Sequence, residues 1–233
     1  MGVHVLIGGS PESGKSVTVQ TIVAGVALDP SAVLVLIDGK HGVELAMWEA
    51  IAYGGVRSDM PKAIEGLEWA SEQMEERYGY LAGAGVRKLT RAHPFGPLVV
   101  VVDELAAFTL HPDKKQRERF LSLLHELLAR GRAAAIRMVA ATQKPGGDVV
   151  PTYIRDLFDI RLALRCSTRD ASDTVLGAGW ASRGFDASQI PLGAAGVGYL
   201  LVAGREPVRA KGCYLSDEDL AALAGYAAHL RGV

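Results

Sequence analysis

The stretch Gly9-Ser10-Pro11-Glu12-Ser13-Gly14-Lys15-Ser16 decides the reading of this chain. It fits G-x-x-x-x-G-K-[ST] at every fixed position, follows the apolar run Val3–Ile7 and opens a helical pattern from Lys15 to Ala27, which is the context the motif requires. Glycines let the backbone curl around an anion, so that successive N–H groups and the helix N-terminus face a phosphate. Lys15 is placed to reach β/γ-phosphates as a point charge, and the Ser16 hydroxyl to ligate Mg²⁺. All eight residues, Gly9, Ser10, Pro11, Glu12, Ser13, Gly14, Lys15 and Ser16, are therefore expected to bind nucleotide. Glu12 is the odd member: a carboxylate beside a triphosphate is repulsive unless its side chain points outward, and it predicts weakened affinity.

Working outward, Leu98–Val102 reads as a buried strand that ends in Asp103-Glu104. Two acids there stand at the carboxyl edge of a sheet, where α/β folds bind ligands. Asp103 is expected to orient Mg²⁺ and Glu104 to polarise an attacking water as general base. A third strand, Ile136–Ala141, delivers Thr142-Gln143 to the same edge, where Gln143 is suited to sensing the γ-phosphate or positioning water.

Further apolar runs at Val33–Ile37, Ile160–Leu164 and Val197–Val202 read as buried strands, and Val208–Tyr214 as an edge strand. Helical patterns cover about Pro61–Leu81, Gln116–Ala129 and Asp217–Leu230, the last opened by a Ser216/Asp219 capping box. Apolar strands alternating with helices predict an α/β fold, a mostly parallel central sheet with helices on both faces. Loops fall at Gly83–Pro97, Gln143–Pro151 and Gly177–Gly196, the third long and without evident structure of its own. With no dividing linker, one domain over residues 1–233 is expected.

Composition bounds the function. The 233 residues carry 25 Lys+Arg and 26 Asp+Glu, a formal net charge of −1, and are 49% hydrophobic. That excludes a disordered chain and a surface coated in basic charge for nucleic acid. No apolar run is long enough to span a bilayer, and the start Met1–Gly9 lacks a signal peptide's basic region and cleavage site. A cytoplasmic location with no membrane contact from the chain itself is expected. The two cysteines, Cys166 and Cys213, lie in strand-like runs and are expected to be buried free thiols.

The order Gly9–Ser16, Leu36-Ile37-Asp38-Gly39-Lys40, Met74-Glu75-Glu76-Arg77-Tyr78, Gly85-Val86-Arg87, Val102-Asp103-Glu104, Arg130-Gly131-Arg132-Ala133-Ala134 and Ala141-Thr142-Gln143-Lys144-Pro145 resembles the motor domains of the FtsK/SpoIIIE family. The resemblance runs from Val3 to about Leu201. Leu192–Leu200 looks nearest to actinobacterial conjugation translocases of the TraB/TraSA kind, and a similar segment occurs in EccC-type secretion ATPases. It implies a RecA-like P-loop NTPase that uses ATP and Mg²⁺ and pumps double-stranded DNA through a homo-oligomeric, hexameric ring, in conjugative transfer or chromosome partition.

In such rings each nucleotide lies between neighbours and is completed by an arginine in trans. Arg161 aligns with the family's arginine and is the first choice, with Arg165 and Arg132 in reserve. Pore loops that track phosphates need local basic charge. Arg87, Lys88 and Arg91 in one loop, and Arg169 and Arg183 in another stretch, are the expected DNA contacts. Lys114, Lys115, Arg117 and Arg119 read instead as a solvated helix start.

One departure stands out: Ala171-Ser172-Asp173-Thr174 carries an acid where the chromosome pumps carry an arginine. Beginning at the phosphate-loop strand, the chain is expected to lack the family's membrane anchor and winged-helix domain, with any tethering supplied by another segment or partner. Two other readings stay open, an EccC-like secretion module acting on protein and a nucleotide-binding assembly module with little turnover.

Overall fold

β-branched runs too short for helices form the sheet, and both its faces are apolar. A computed structural model describes residues 3–203 and 205–233; Met1, Gly2 and Gly204 lie outside it. The strands are β1 (Val5–Gly8), β2 (Val33–Ile37), β3 (Ala52–Arg57), β4 (Leu98–Val102), β5 (Ile136–Thr142), β6 (Ile160–Leu164), β7 (Val197–Val202) and β8 (Val208–Lys211). They form one sheet in the order β3-β2-β4-β5-β1-β6-β7-β8. Six strands are parallel, from β3 to β6 in that order, and β7 and β8 add an antiparallel edge.

The helices are α1 (Lys15–Ala27), α2 (Met60–Ala84), α3 (Leu105–Thr109), α4 (Lys114–Arg130), α5 (Thr152–Arg155), α6 (Arg169–Leu176) and α7 (Asp217–Arg231). Alternation along the strands divides the core. Val35, Ile37, Leu98, Val100 and Val102 pack with Leu67, Met74, Phe120, Leu124 and Val175 of α2, α4 and α6. Leu34, Leu36, Val99 and Val101 pack with Val19 and Val23 of α1, Leu220 and Ala227 of α7, and Trp48. The expected fold class is borne out: a mostly parallel sheet covered on both faces, as buried parallel strands require.

Most boundaries fall within a few residues of those read from sequence. The first strand begins at Val5 and ends at Gly8, the strand from Ile136 runs on to Thr142, and the edge strand from Val208 stops at Lys211. The second helix begins at Met60, capped by the Asp59 carboxylate accepting from Lys62 N at 2.9 Å. Lys114 rather than Gln116 opens α4, capped by Asp113, and its basic start is solvated as expected, with Arg119 paired to Glu68 at 2.8 Å. The Ser216/Asp219 capping box is present.

β3 was not legible. Its Tyr53-Gly54-Gly55 breaks any apolar run and both glycines adopt positive φ; pairing along β2, the stacking of Tyr53 on Trp69 and the bond from Val56 N to Glu49 hold it in place. The Gly177–Gly196 segment, expected to be structureless, carries 3-10 turns at Ala181–Arg183 and Ala187–Gln189. Cys166 is buried, and burial pushes its thiol up to about 12. Cys213 corrects the expectation of two buried thiols: it is exposed, because β8 has already ended and the chain has left the sheet.

Candidate nucleotide site

β1, β4 and β5 end at one edge of the sheet, and the phosphate loop, the two acids and the Thr142-Gln143 pair gather there. Gly8 pairs with Thr142 and Val102 with Ala140, so the phosphate loop after β1 stands beside the acids after β4 and the polar pair after β5. Gly14 caps α1 with φ +91°, and a Cβ there would lie 2.5 Å from the Gly196 amide nitrogen. No side chain fits this turn. The Gly196 N–H donates to Ser13 O at 2.8 Å, so the long loop before β7 ends against the phosphate loop and braces it. From the other side, Ser10 N and Oγ both donate to Arg165 O at 2.8 Å, and Arg165 Nη2 donates to Pro11 O at 2.8 Å.

Glu12 has φ 61° and is exposed, a left-handed conformation unusual for a residue with a Cβ.

Lys15 is 3% exposed. Its ammonium donates to Asp103 O at 3.1 Å and lies 3.3 Å from Asp103 Oδ1. Burial pushes its pKa down, against the pull of Asp103. Asp103 is 1% exposed, and its second oxygen, Oδ2, lies 3.1 Å from Lys40 Nζ. Lys40 also contacts Glu44 Oε1 at 3.0 Å and Ser16 Oγ at 3.5 Å. Burial opposes its charge, but Asp103 and Glu44 together outweigh that and raise its pKa.

Glu104 caps α3 and is tied to β5. Its Oε1 accepts from Thr142 Oγ1 at 2.7 Å, from Ala106 N at 3.3 Å and from Gln143 N at 3.2 Å, while Oε2 accepts from Gln143 N at 2.9 Å. A carboxylate offers about four lone-pair sites, so Oε2 is the oxygen with room to take a water proton. Glu104, Gln143, Lys40 and Lys144 line a cleft of about 500 Å³.

The arginines lie elsewhere. Arg161 pairs in register with Leu6, and its guanidinium points to the opposite edge, bonded to Phe158 O, Leu176 O and Asp156. Burial lowers its pKa. It shares a pocket of about 560 Å³ with Arg155, Arg183 and Arg205. Arg165 serves its own phosphate loop, and Arg132 pairs with Asp159. Arg87, Lys88 and Arg91 are exposed in the loop that leads into β4, again at the starting edge of the strands. Arg169 and Arg183, read as one basic stretch, are not brought together. Arg169 is exposed at the start of α6 on the phosphate-loop edge, whereas Arg183, past its other end, stacks on Trp180 at 4.1 Å and pairs with Glu206.

The part Lys40 plays at the site was not read from sequence, although it stood in a quoted motif; Arg165, read as a reserve for the trans arginine, and Gly196, in the quoted Leu192–Leu200 segment, prove to be braces of the phosphate loop. Their signal is proximity in space, which spacing along the chain does not carry.

The model of the FtsK/SpoIIIE family matches residues 1–96. The DNA translocase SftA of Bacillus subtilis is 32% identical over 231 residues, 93% of this chain and 23% of that protein. DNA translocase FtsK of Pseudomonas aeruginosa is 30% identical over 253 residues, 93% of this chain and 30% of that protein. The chain thus spans between a fifth and a third of the length of these relatives. Among solved structures, the pCW3 conjugation coupling protein TcpA, in its monomer form with ATPγS, superposes with a TM-score of 0.85 at 22% identity, covering 99% of this chain and 65% of that one. The cytoplasmic domain of the type VII secretion ATPase EccC from Thermomonospora curvata gives 0.73 at 22% identity, covering 96% and 28%. The FtsK/SpoIIIE resemblance read from the motifs is borne out, and the fold is that of the P-loop ATPases.

Proposed function

We propose that this FtsK/SpoIIIE-like chain is a single RecA-like domain over residues 1–233 that hydrolyses ATP at the interfaces of a homo-oligomeric, hexameric ring and drives double-stranded DNA through it, in conjugative transfer or chromosome partition. The observation that carries this reading is the meeting of Lys15, Ser16, Asp103 and Glu104 at one sheet edge beside Gln143. The similarity to DNA translocases over 93% of the chain supplies the substrate class.

Mg²⁺ fits the donors present. A serine hydroxyl and a buried carboxylate are hard oxygen ligands, few enough to leave positions for water and phosphate, and the Lys40 ammonium already lies within 3.5 Å of both. Ser16 and Asp103 would hold the ion, which when bound supplies charge neutralisation for the phosphates. The chain's own residues do the rest. The backbone N–H groups of Glu12, Gly14, Lys15 and Ser16 cradle the phosphates, Lys15 leaves Asp103 for the β/γ-oxygens, and Glu104 Oε2 takes the proton of a water that Gln143 positions. Arg161, on the edge away from its own phosphate loop, would serve a neighbour's nucleotide. Arg87, Lys88 and Arg91, with Arg169 and Arg183, would meet DNA phosphates.

ATPase rate measured with and without double-stranded DNA, at low and moderate salt, tests the reading. Stimulation of several-fold that fades as salt rises is expected of phosphate tracking. Lys15→Ala should lose nucleotide binding, and Glu104→Gln should bind ATP without turning it over. A measurable rate indifferent to DNA would favour the second reading, an EccC-like module acting on protein, which the 0.73 superposition supports. Retained turnover in Glu104→Gln would remove that residue from the chemistry.

A further inference from the structure

Lys40 is held in place by the fold rather than by chance. Asp38, at the end of β2, is fully buried and accepts from Lys40 N at 2.8 Å and from Leu45 N at 3.1 Å, folding residues 38–45 into a closed turn. His41 and Gly42, with φ 63° and 80°, make the reversal. Gly39 lies so close to the first turn of α3 that a Cβ would come within 2.7 Å of Glu104 O and of Ala107 Cβ. Gln20 of α1 donates to Glu44 O and accepts from Trp48 Nε1 at 2.6 Å. The turn is therefore pinned to α1, β2 and α3 together, and it delivers one ammonium to one spot: 3.1 Å from Asp103 Oδ2, 3.5 Å from Ser16 Oγ and 3.0 Å from Glu44 Oε1.

Those first two atoms are the ones expected to hold Mg²⁺. An ammonium and a divalent ion cannot share them, because two cations at that separation repel and each needs the same lone pairs. We propose that Lys40 is a built-in counter-cation of the Mg²⁺ site. Its ammonium stands between Ser16 and Asp103 Oδ2 and, with Lys15 at Oδ1, neutralises the buried carboxylate; a divalent ion enters only as Lys40 releases Asp103 and withdraws onto Glu44. Lys40 is partly exposed and its ammonium already lies 3.0 Å from Glu44 Oε1, so this movement needs only side-chain rotation. The device keeps the site from binding metal ahead of nucleotide, and couples the two. The inference rests on the assignment of Ser16 and Asp103 to the metal.

Mn²⁺ binding to the nucleotide-free protein, read by electron paramagnetic resonance of the free ion, tests it without any turnover. Lys40→Met, which keeps the apolar stem, should bind Mn²⁺ at least fivefold more tightly than the parent chain, while Lys40→Arg stays near the parent. Glu44→Gln should weaken Mn²⁺ binding in the parent chain, where Lys40 loses its retreat. The same change should have little effect on top of Lys40→Met, where there is nothing left to displace; a coupling of this sign is the signature of competition. Equal Mn²⁺ affinity in the parent and Lys40→Met, with a binding-competent phosphate loop verified by Lys15-dependent binding of ATPγS, would overturn the proposal and leave the nucleotide site standing. Additive effects of the two substitutions would overturn it as well. Should Lys40→Met fail to fold, Lys40→Gln repeats the comparison, with circular dichroism as the check on both. If ATPγS binding did not depend on Lys15, the site assignment itself would fall.

Discussion

Thr142 shows how much of the site depends on residues that touch no substrate. Its hydroxyl donates to Glu104 Oε1 at 2.7 Å and accepts from Lys144 N at 3.1 Å, so one buried side chain aims the carboxylate and shapes the turn after β5. A hydrogen bond to a charged group contributes about 1.5–3 kcal/mol. Thr142→Val keeps the shape and removes the donor. It should therefore lower kcat by roughly ten- to a hundredfold while leaving nucleotide affinity within about twofold, because the phosphate loop is untouched. Single-turnover hydrolysis alongside equilibrium binding of ATPγS separates the two; an equal loss in both would make Thr142 a structural residue only. The sequence placed Thr142 beside Gln143 at the right edge. It did not say which of Glu104's oxygens would be spoken for, since that depends on atoms 38 residues apart.

The element scale gives a reason for two motifs that chemistry left idle. Met74-Glu75-Glu76-Arg77-Tyr78 lies on α2, and Arg130–Ala134 forms the turn between α4 and β5. Arg77 is 3% exposed and donates through Nη1 to Ala134 O at 2.9 Å, with Phe95 beneath its guanidinium at 5.4 Å. Tyr78 OH donates to Arg130 O at 2.8 Å, and Arg130 pairs with Glu75 at 2.6 Å. Together these contacts lock α2 to α4 and set the starting height of β5, the strand that carries Thr142 and Gln143. Arg77→Met leaves carbonyls of a buried turn without their donor and should cost about 3 kcal/mol, lowering the melting midpoint by roughly 6–12 °C for a chain of this size. Thermal unfolding followed by circular dichroism checks it; a shift under about 2 °C would mean that α2 and α4 are held by their apolar faces alone.

For the molecule as a whole, the decisive feature is that the phosphate-loop edge and the arginine-rich edge face away from each other. Lys15, Asp103 and Glu104 occupy the edge where the parallel strands end. Arg161, Arg155, Arg183 and Arg205, and the loop bearing Arg87 and Lys88, occupy the edge where they begin. A chain built this way cannot bring Arg161 to its own phosphate loop. Mixing Arg161→Ala with Lys15→Ala, each inactive alone, should therefore restore a measurable part of the ATPase rate, because some interfaces would pair an intact loop with an intact arginine. No recovery in mixed assemblies would take Arg161 out of the trans role.

The sequence alone determined the phosphate loop, the two acids and the alternation of strand and helix. All of these are local: a glycine turn, a carboxylate at a strand end and a period of hydrophobicity are properties of neighbours in the chain. It also carried the order of motifs that marks the family resemblance. Tertiary structure alone decided that β3 holds an edge of the sheet despite its glycines, and that Cys213 is exposed. It decided too that Arg165 braces its own loop, that Arg169 and Arg183 part company, and that Lys40 stands against Asp103. Each of these turns on a contact between segments far apart in sequence, where burial and the pairing of charge are set by what the fold brings alongside rather than by what precedes or follows.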